Sequence, residues 1–219
     1  MHQDLLCRVV FVSLLSLTSC HCVLPLISLN CSVCLYSFLI GVCLDIGAGS
    51  GRMAQLLAPL FSRVECTEVS QPMVKAIRDK GFVAYHTADI TTLPADSKYD
   101  VIGLFNLIDR CSKPITLLND LKDRLRDENS RLVIAVPLPL RPAVESSDGW
   151  KTPEEYIAPP GCYCGYTWEE SVKRLIVDII DPIYDVRVIS RLPYLSEGNL
   201  KRPYYVLDDV LLVLSKKKE

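Results

Sequence analysis

The window Gly47-Ala-Gly-Ser-Gly51 constrains this chain more than any other feature of its sequence. It follows the apolar run Val42-Cys-Leu-Asp-Ile46. It precedes a segment in which Met53, Leu56, Leu57 and Leu60 recur at helical spacing. Closely spaced glycines let a backbone turn sharply out of a strand and approach a ligand. A strand, a glycine turn and a helix in that order belong to an α/β sheet with its loops at one open edge.

The following residues repeat the alternation. Arg63 to Thr67, Phe82 to Tyr85, Tyr99 to Phe105 and Arg131 to Val136 read as strands. Between them, Ser70 is placed to cap a helix with Pro72 in its first turn, and Pro114 opens another running to Leu125. Strands that alternate with helices pair in parallel. Trp168 to Ile180 reads as a last helix, Asp185 to Arg191 as a sixth strand and Tyr204 to Leu214 as a seventh. A loop with Pro, Gly, Asn and Ser residues and no helical pattern separates the last two strands, which predicts an antiparallel hairpin at the end of the sheet.

The glycine spacing is G-x-G-x-G. The dinucleotide fingerprint is G-x-G-x-x-G, which disfavours an NAD enzyme. A ligand without a pyrophosphate, such as S-adenosylmethionine, does not need the longer cradle. Gly47 and Gly49 would then face the ligand, and Asp45 would meet its amino end. Glu68 closes the second strand roughly twenty residues beyond the loop, where an acid on ribose hydroxyls belongs. The alternative for Glu68 is a surface acid at a strand end. Asp89, after the third strand, is a weaker candidate for an adenine amino group.

Asn106-Leu-Ile-Asp109-Arg110-Cys111 follows the fourth strand, at the same sheet edge. Asn106 and Asp109 are three apart, so a helical turn would aim both at one spot. Both residue types also cap helices, which is the alternative reading.

Leu44-Asp-Ile-Gly-Ala-Gly49, Thr67-Glu-Val-Ser70, Asn106-Leu-Ile-Asp-Arg-Cys111, Arg191-Leu-Pro-Tyr-Leu-Ser-Glu-Gly198 and Tyr204-Tyr-Val-Leu-Asp-Asp209 occur in order. Together they closely resemble the DREV family of methyltransferase-like proteins, the protein-histidine N-pros-methyltransferases. The resemblance runs from about Val42 to Leu214. It implies a Rossmann-like class I methyltransferase fold, α/β, with a seven-stranded, mostly parallel sheet and a C-terminal antiparallel hairpin. It implies S-adenosyl-L-methionine as cofactor and histidine in His-x-His sequences of proteins as acceptor. By the same resemblance, Glu68, Asn106 and Tyr194 would contact the cofactor, Asp45 matches the loop acid, Asp109 would engage the acceptor histidine, and Tyr205 would line the site. The sequence departs from the family where Ser50 replaces the usual Asp of the glycine loop, and ahead of the first strand, where a folded helical stretch is usual. The rival readings are a methyltransferase with another acceptor and a non-catalytic homologue that keeps the cofactor pocket.

Composition matters mainly at the start of the chain. No Asp, Glu, Lys or Arg lies between Arg8 and Asp45, and six of the ten cysteines fall in that opening region. Three readings stand for it. One is a signal or membrane anchor, with residues 9–29 reaching the membrane; another is a stretch from a wrong exon assignment; the third is an ordinary buried element. The first would place the protein at the endoplasmic reticulum or another endomembrane; the others leave mitochondrial or cytoplasmic placement. Cys31 and Cys34 have the spacing of half a zinc site, with no second pair at a suitable distance, so no metal is expected. The net charge of −2 gives no basic field for nucleic acid. The expected organisation is an apolar segment over residues 1–41, a methyltransferase domain over 42–215 and a basic tail over 216–219. A monomer is expected.

Overall fold

A computed structural model describes residues 40–146, 149–157, 166–199 and 202–217. The opening segment with its candidate membrane stretch, the Cys31–Cys34 pair, Cys162, Cys164 and the end of the basic tail lie outside the described residues.

β1 (Ile40–Ile46) leads through the glycine loop into α1 (Arg52–Leu57), which tightens into a 3-10 turn at Ala58–Leu60. β2 (Phe61–Glu68), α2 (Gln71–Asp79) and β3 (Val83–His86) follow, then β4 (Val101–Phe105), α3 (Pro114–Lys122) and β5 (Arg131–Pro137). A small antiparallel hairpin, β6 (Val144–Ser146) with β7 (Gly149–Lys151), has no counterpart in the sequence reading. α4 (Trp168–Arg174) continues as a π-helical turn over Leu175–Ile180, and β8 (Tyr184–Asn199) and β9 (Arg202–Lys216) complete the described elements.

The seven-stranded sheet has the order β3-β2-β1-β4-β5-β9-β8. The first five strands are parallel. β9 is antiparallel to both its neighbours, as the sequence between the last two strands predicts. The chain returns across β1 to reach β4, so the carboxyl ends of β1 and β4 flank a topological switch point, where ligands of open α/β sheets bind.

Side chains alternate across the sheet with period two. Leu44, Ile102, Leu104, Leu132, Ile134, Leu212 and Leu214 pack on one face with Leu117, Leu118 and Leu121 of α3 and Val172 of α4. Cys43, Val133, Ala135, Leu211 and Val213 pack on the other with Met53, Ala54 and Leu57 of α1 and Val74 and Ile77 of α2. Both faces are covered, which is why the central strands read as continuous apolar runs rather than alternating ones. Burying each large aliphatic side chain contributes about 1.5–3 kcal/mol. α4 starts with a capping box in which Thr167 accepts from the Glu170 amide and Glu170 from the Thr167 amide. Ser70 does stand at the start of α2, but its side chain makes no capping bond.

Candidate active site

The glycine loop is tied to the end of β2. The amides of Gly47 and Ala48 both donate to the Thr67 carbonyl, at 2.9 and 3.1 Å. The Gly49 amide donates to Glu68 Oε2 at 2.8 Å. Glu68 Oε1 accepts from the amides of Val69 and Ser70, at 2.8 and 2.9 Å. One carboxylate therefore joins the loop after β1 to the turn after β2. Its oxygens carry three backbone bonds, and a carboxylate offers about four lone-pair sites. Glu68 is thus not the surface acid of the alternative reading; it is 8% exposed.

Gly47 sits at φ 68°, in the left-handed region, and a Cβ there would lie 2.7 Å from Leu107 Cδ1. Leu107, on the loop after β4, therefore packs directly on the glycine backbone. Gly49 is also left-handed, at φ 54°. Both positions need glycine for its backbone freedom, and Gly47 needs it for space as well.

Asp45 lies near the end of β1, 1% exposed, and its Oδ2 has no hydrogen-bond partner. Burial, and secondly the Glu68 charge, push its carboxyl up to about 7. A buried carboxylate oxygen without a donor is costly, and a cationic ligand group would offset that cost. The ammonium of a methionine moiety has the matching charge, so the residues present suit S-adenosylmethionine. Asp89 has a different task. It accepts from Thr91 N and Oγ1, at 2.9 and 2.6 Å, and caps a 3-10 turn at Ile90–Thr92; those bonds hold its carboxyl below the usual range.

The loop after β4 corrects one expectation. Asn106 to Asp109 is not a helical turn. Asn106 takes φ 56°, a left-handed conformation that Asn tolerates better than most residues, while its amide donates to the Ala135 carbonyl at 2.8 Å. Neither residue caps α3, whose N-cap position is Lys113. Asp109 is 8% exposed and its Oδ1 has no hydrogen-bond partner. Burial raises its carboxyl, and the Arg110 charge partly opposes the rise. The crevice thus holds two buried carboxylates, Asp45 and Asp109, each with an oxygen lacking a donor.

The tyrosines come from the far side of the sheet. Tyr194 belongs to β8, where it pairs with Leu207; it is not in a loop as the sequence suggests, and its side chain lies outside the described residues. Tyr205 is on β9, half-buried, paired with Ser196. Alternation puts positions 205, 207 and 209 of β9 on the face of Leu211 and Val213, the α1–α2 face. Asp45 shares it, two residues from Cys43, and so does Glu68, two residues from Cys66. Positions 202–208 run past Pro137, where the pairing of β5 with β9 ends, beyond the carboxyl edge.

Sequence reasoning missed the segment between β5 and α4. The Ala143 amide donates to the Asp109 carbonyl at 2.9 Å, and the amides of Glu154 and Glu155 donate to the Ser112 carbonyl, at 2.9 and 3.0 Å. The Glu155 carboxylate accepts from Thr116 N in the first turn of α3. Prolines and scattered charges give this stretch no periodicity, so nothing local signals that it folds back onto the Asp109 loop.

Solved structures share the architecture. The N-methyltransferase NodS from Bradyrhizobium japonicum WM9, in complex with S-adenosyl-L-homocysteine, aligns with a TM-score of 0.53 at 13% identity, over 96% of this chain and 87% of its own. An S-adenosylmethionine-dependent methyltransferase from Clostridium acetobutylicum ATCC 824 aligns with a TM-score of 0.51 at 14% identity, over 84% and 88%. At these identities the likeness is one of fold, the Rossmann-like class I methyltransferase fold. The profile of the DREV methyltransferases matches residues 40–216, from the first residue of β1 to the last of β9. With that match spanning the sheet and every loop of the crevice, the chain belongs to the DREV methyltransferase family.

Proposed function

We propose that this protein transfers a methyl group from S-adenosylmethionine to the pros nitrogen of a histidine in a His-x-His sequence of an acceptor protein. The observation that carries the reading is Asp109: a buried carboxylate with one oxygen lacking a donor, in the Asn-x-x-Asp-Arg-Cys segment after β4, within the residues the DREV profile matches and across the switch point from the glycine loop.

S-adenosylmethionine, when bound, supplies a methyl group on a sulfonium. The Asp45 carboxylate answers the ammonium of its methionine part, and the left-handed Gly47 and Gly49 let the backbone come close. Glu68 keeps about one lone-pair site beyond its three amides, enough for one ribose hydroxyl. Asn106 and Tyr194 are assigned to the cofactor as well, and Tyr205 to the wall of the acceptor site. An imidazole attacks only through a nitrogen that carries its lone pair, so the proton must sit on the other nitrogen. Asp109 Oδ1 accepting the tele N–H fixes that tautomer and leaves the pros nitrogen as the nucleophile. The same negative charge offsets the positive charge the ring gains as its new N–C bond forms. The tele proton then departs to water, which restores a neutral ring.

The test is incubation of the purified chain with labelled S-adenosylmethionine and a His-Ala-His peptide, with mass spectrometry separating pros from tele methylhistidine. Label in pros-methylhistidine is the expected result. Label in the tele isomer, or cofactor binding without any histidine product, overturns the assignment.

A further inference from the structure

We propose that Arg191 is a positioning residue for the acceptor site: it clamps the root of the β8–β9 ribbon to α4 and so sets where Tyr205 stands. The inference rests on Tyr205 lining the acceptor site, as proposed above. The pairing of β9 with β5 ends at Asp209 and Pro137, and one further bond runs from the Leu138 amide to the Asp208 carbonyl at 3.1 Å. Beyond that point, positions 204–207 of β9 pair with 194–197 of β8 and with no other strand among the described residues. A two-stranded ribbon twists more than a wide sheet and is marginally stable alone. The direction in which this one leaves the sheet is therefore set at its root.

The root is held from α4. Arg191 Nε donates to both carboxylate oxygens of Asp208, at 3.1 and 3.0 Å, and Nη2 donates to Asp208 Oδ2 at 2.7 Å. Nη1 donates to Glu169 Oε1 at 3.0 Å, and the guanidinium lies over the Trp168 ring, 4.8 Å from its centroid. Trp168 Nε1 donates to the Asp208 carbonyl at 3.2 Å, the same oxygen that the Leu138 amide reaches. Trp168 and Glu169 belong to the first turn of α4, which the capping box fixes. A planar guanidinium can fork onto a carboxylate while it stacks on an aromatic ring, and an ammonium cannot. Arg191 stands in register with Val210, on the α3–α4 face, whereas Tyr205, three residues past Asp208, is on the other face. The clamp thus reaches Tyr205 through the ribbon backbone. The Arg191 and Asp208 side chains are 48% and 28% exposed, so their ion pair adds little to the stability of the fold. β9 is kept in the sheet by the fully buried Val210 to Leu214. What the clamp decides is geometry, and methyl transfer tolerates little misplacement of the attacking nitrogen.

The experiment is steady-state kinetics of the full chain on a His-Ala-His peptide, paired with thermal melting. Arg191→Ala should lower kcat/KM about tenfold while the melting temperature falls by no more than a few degrees. Asp208→Ala should match it, and Arg191→Lys should recover only part of the loss. Arg191→Ala combined with Tyr205→Ala should be no worse than Tyr205→Ala alone, because a side chain that is gone cannot be misplaced. Wild-type kcat/KM in Arg191→Ala, a large fall in its melting temperature, or losses that multiply in the double variant would each overturn the positioning role and leave Tyr205 at the wall. Wild-type kinetics in Tyr205→Ala would remove Tyr205 from the wall, and no transfer by the wild-type protein would sink the acceptor assignment; the positioning role falls with either.

Discussion

The two sides of the switch-point crevice are built on opposite plans. On the β1–β2 side, backbone amides of the glycine loop and of the turn after β2 are tied down: Gly47 and Ala48 to Thr67, Gly49 to Glu68, and Val69 and Ser70 to the same carboxylate. On the β4–β5 side, Asp109 is buried with an oxygen that lacks a donor, and the neighbouring hairpin displays Trp150 to solvent. The first side has its loop backbone fixed before anything binds and leaves one buried oxygen, Asp45 Oδ2, for the ligand. The second carries unsatisfied groups that only a partner can complete. A cofactor is one invariant molecule, so the backbone of its side can be pre-organised, whereas an acceptor site has to admit varied sequences and keep its strongest interaction for the reacting ring.

The sharpest way to break this contrast is Asp109→Asn. The amide keeps the size and can still accept an N–H, but it removes the charge that offsets the forming imidazolium. Turnover on a His-Ala-His peptide should fall at least ~100-fold. Calorimetric affinity for S-adenosylhomocysteine should stay close to wild type. A large loss of affinity would place Asp109 on the cofactor side and erase the distinction.

Glu68→Ala should do the reverse and weaken S-adenosylhomocysteine about ten- to a hundredfold, the effect of losing a charged hydrogen-bond partner. Three amides lose their acceptor, so the variant should also melt earlier. Glu68→Gln separates the two effects: its single carbonyl oxygen can hold only part of the amide set, so it should melt between wild type and Glu68→Ala. If Glu68→Ala binds with wild-type affinity, the carboxylate serves only the loop.

Gly47→Ala tests the contact that joins the two sides. The left-handed backbone alone costs a non-glycine residue about 1–2 kcal/mol, before the Cβ meets Leu107. The expected outcome is a lower melting temperature together with weaker S-adenosylhomocysteine binding, and Leu107→Ala in the same chain should recover part of both. No recovery would mean the strain is in the backbone and the two loops are not coupled there.

The gentlest perturbation is a change of pH. Asp45 is raised from 3.8 to about 7 in the folded chain, so between those values the folded state holds a proton that the unfolded state has released. Its contribution to stability is therefore complete below about pH 4 and is lost as pH rises towards 7. An ammonium beside the carboxyl favours the charged form, so binding expels that proton at acid pH. S-adenosylhomocysteine affinity should then increase with pH up to about 7, by at most about tenfold per unit, and level off above. Asp45→Asn should flatten this part of the profile in isothermal titration; an equally steep profile in that variant would assign the dependence to another group.

Most of the parallel sheet was legible in the residues. Apolar runs at Val42–Ile46, Tyr99–Phe105 and Arg131–Val136 mark strands because both faces of the sheet are covered. Boundaries were less legible. β8 runs to Asn199 and β9 starts at Arg202, although Pro193 and Gly198 read locally as loop; pairing along the ribbon overrides those signals. The same long-range pairing moves Tyr194 from a loop into a strand.

Residue type and spacing set the chemistry available: a glycine turn with an acid on each of the first two strands, an Asn and an Asp after the fourth, and the family to which these patterns belong. Those are properties of residue type and spacing, and they survive in one dimension. How those groups are used follows from packing in three dimensions. Three amides converge on Glu68, Asn106 adopts a left-handed turn instead of a helix, Leu107 closes over Gly47, and the segment around Trp150 is fastened to Asp109. Apart from the Val69 and Ser70 amides, which lie next to Glu68 in the chain, each of these depends on which donor or surface lies opposite in space, and such distant partners leave no trace in local spacing.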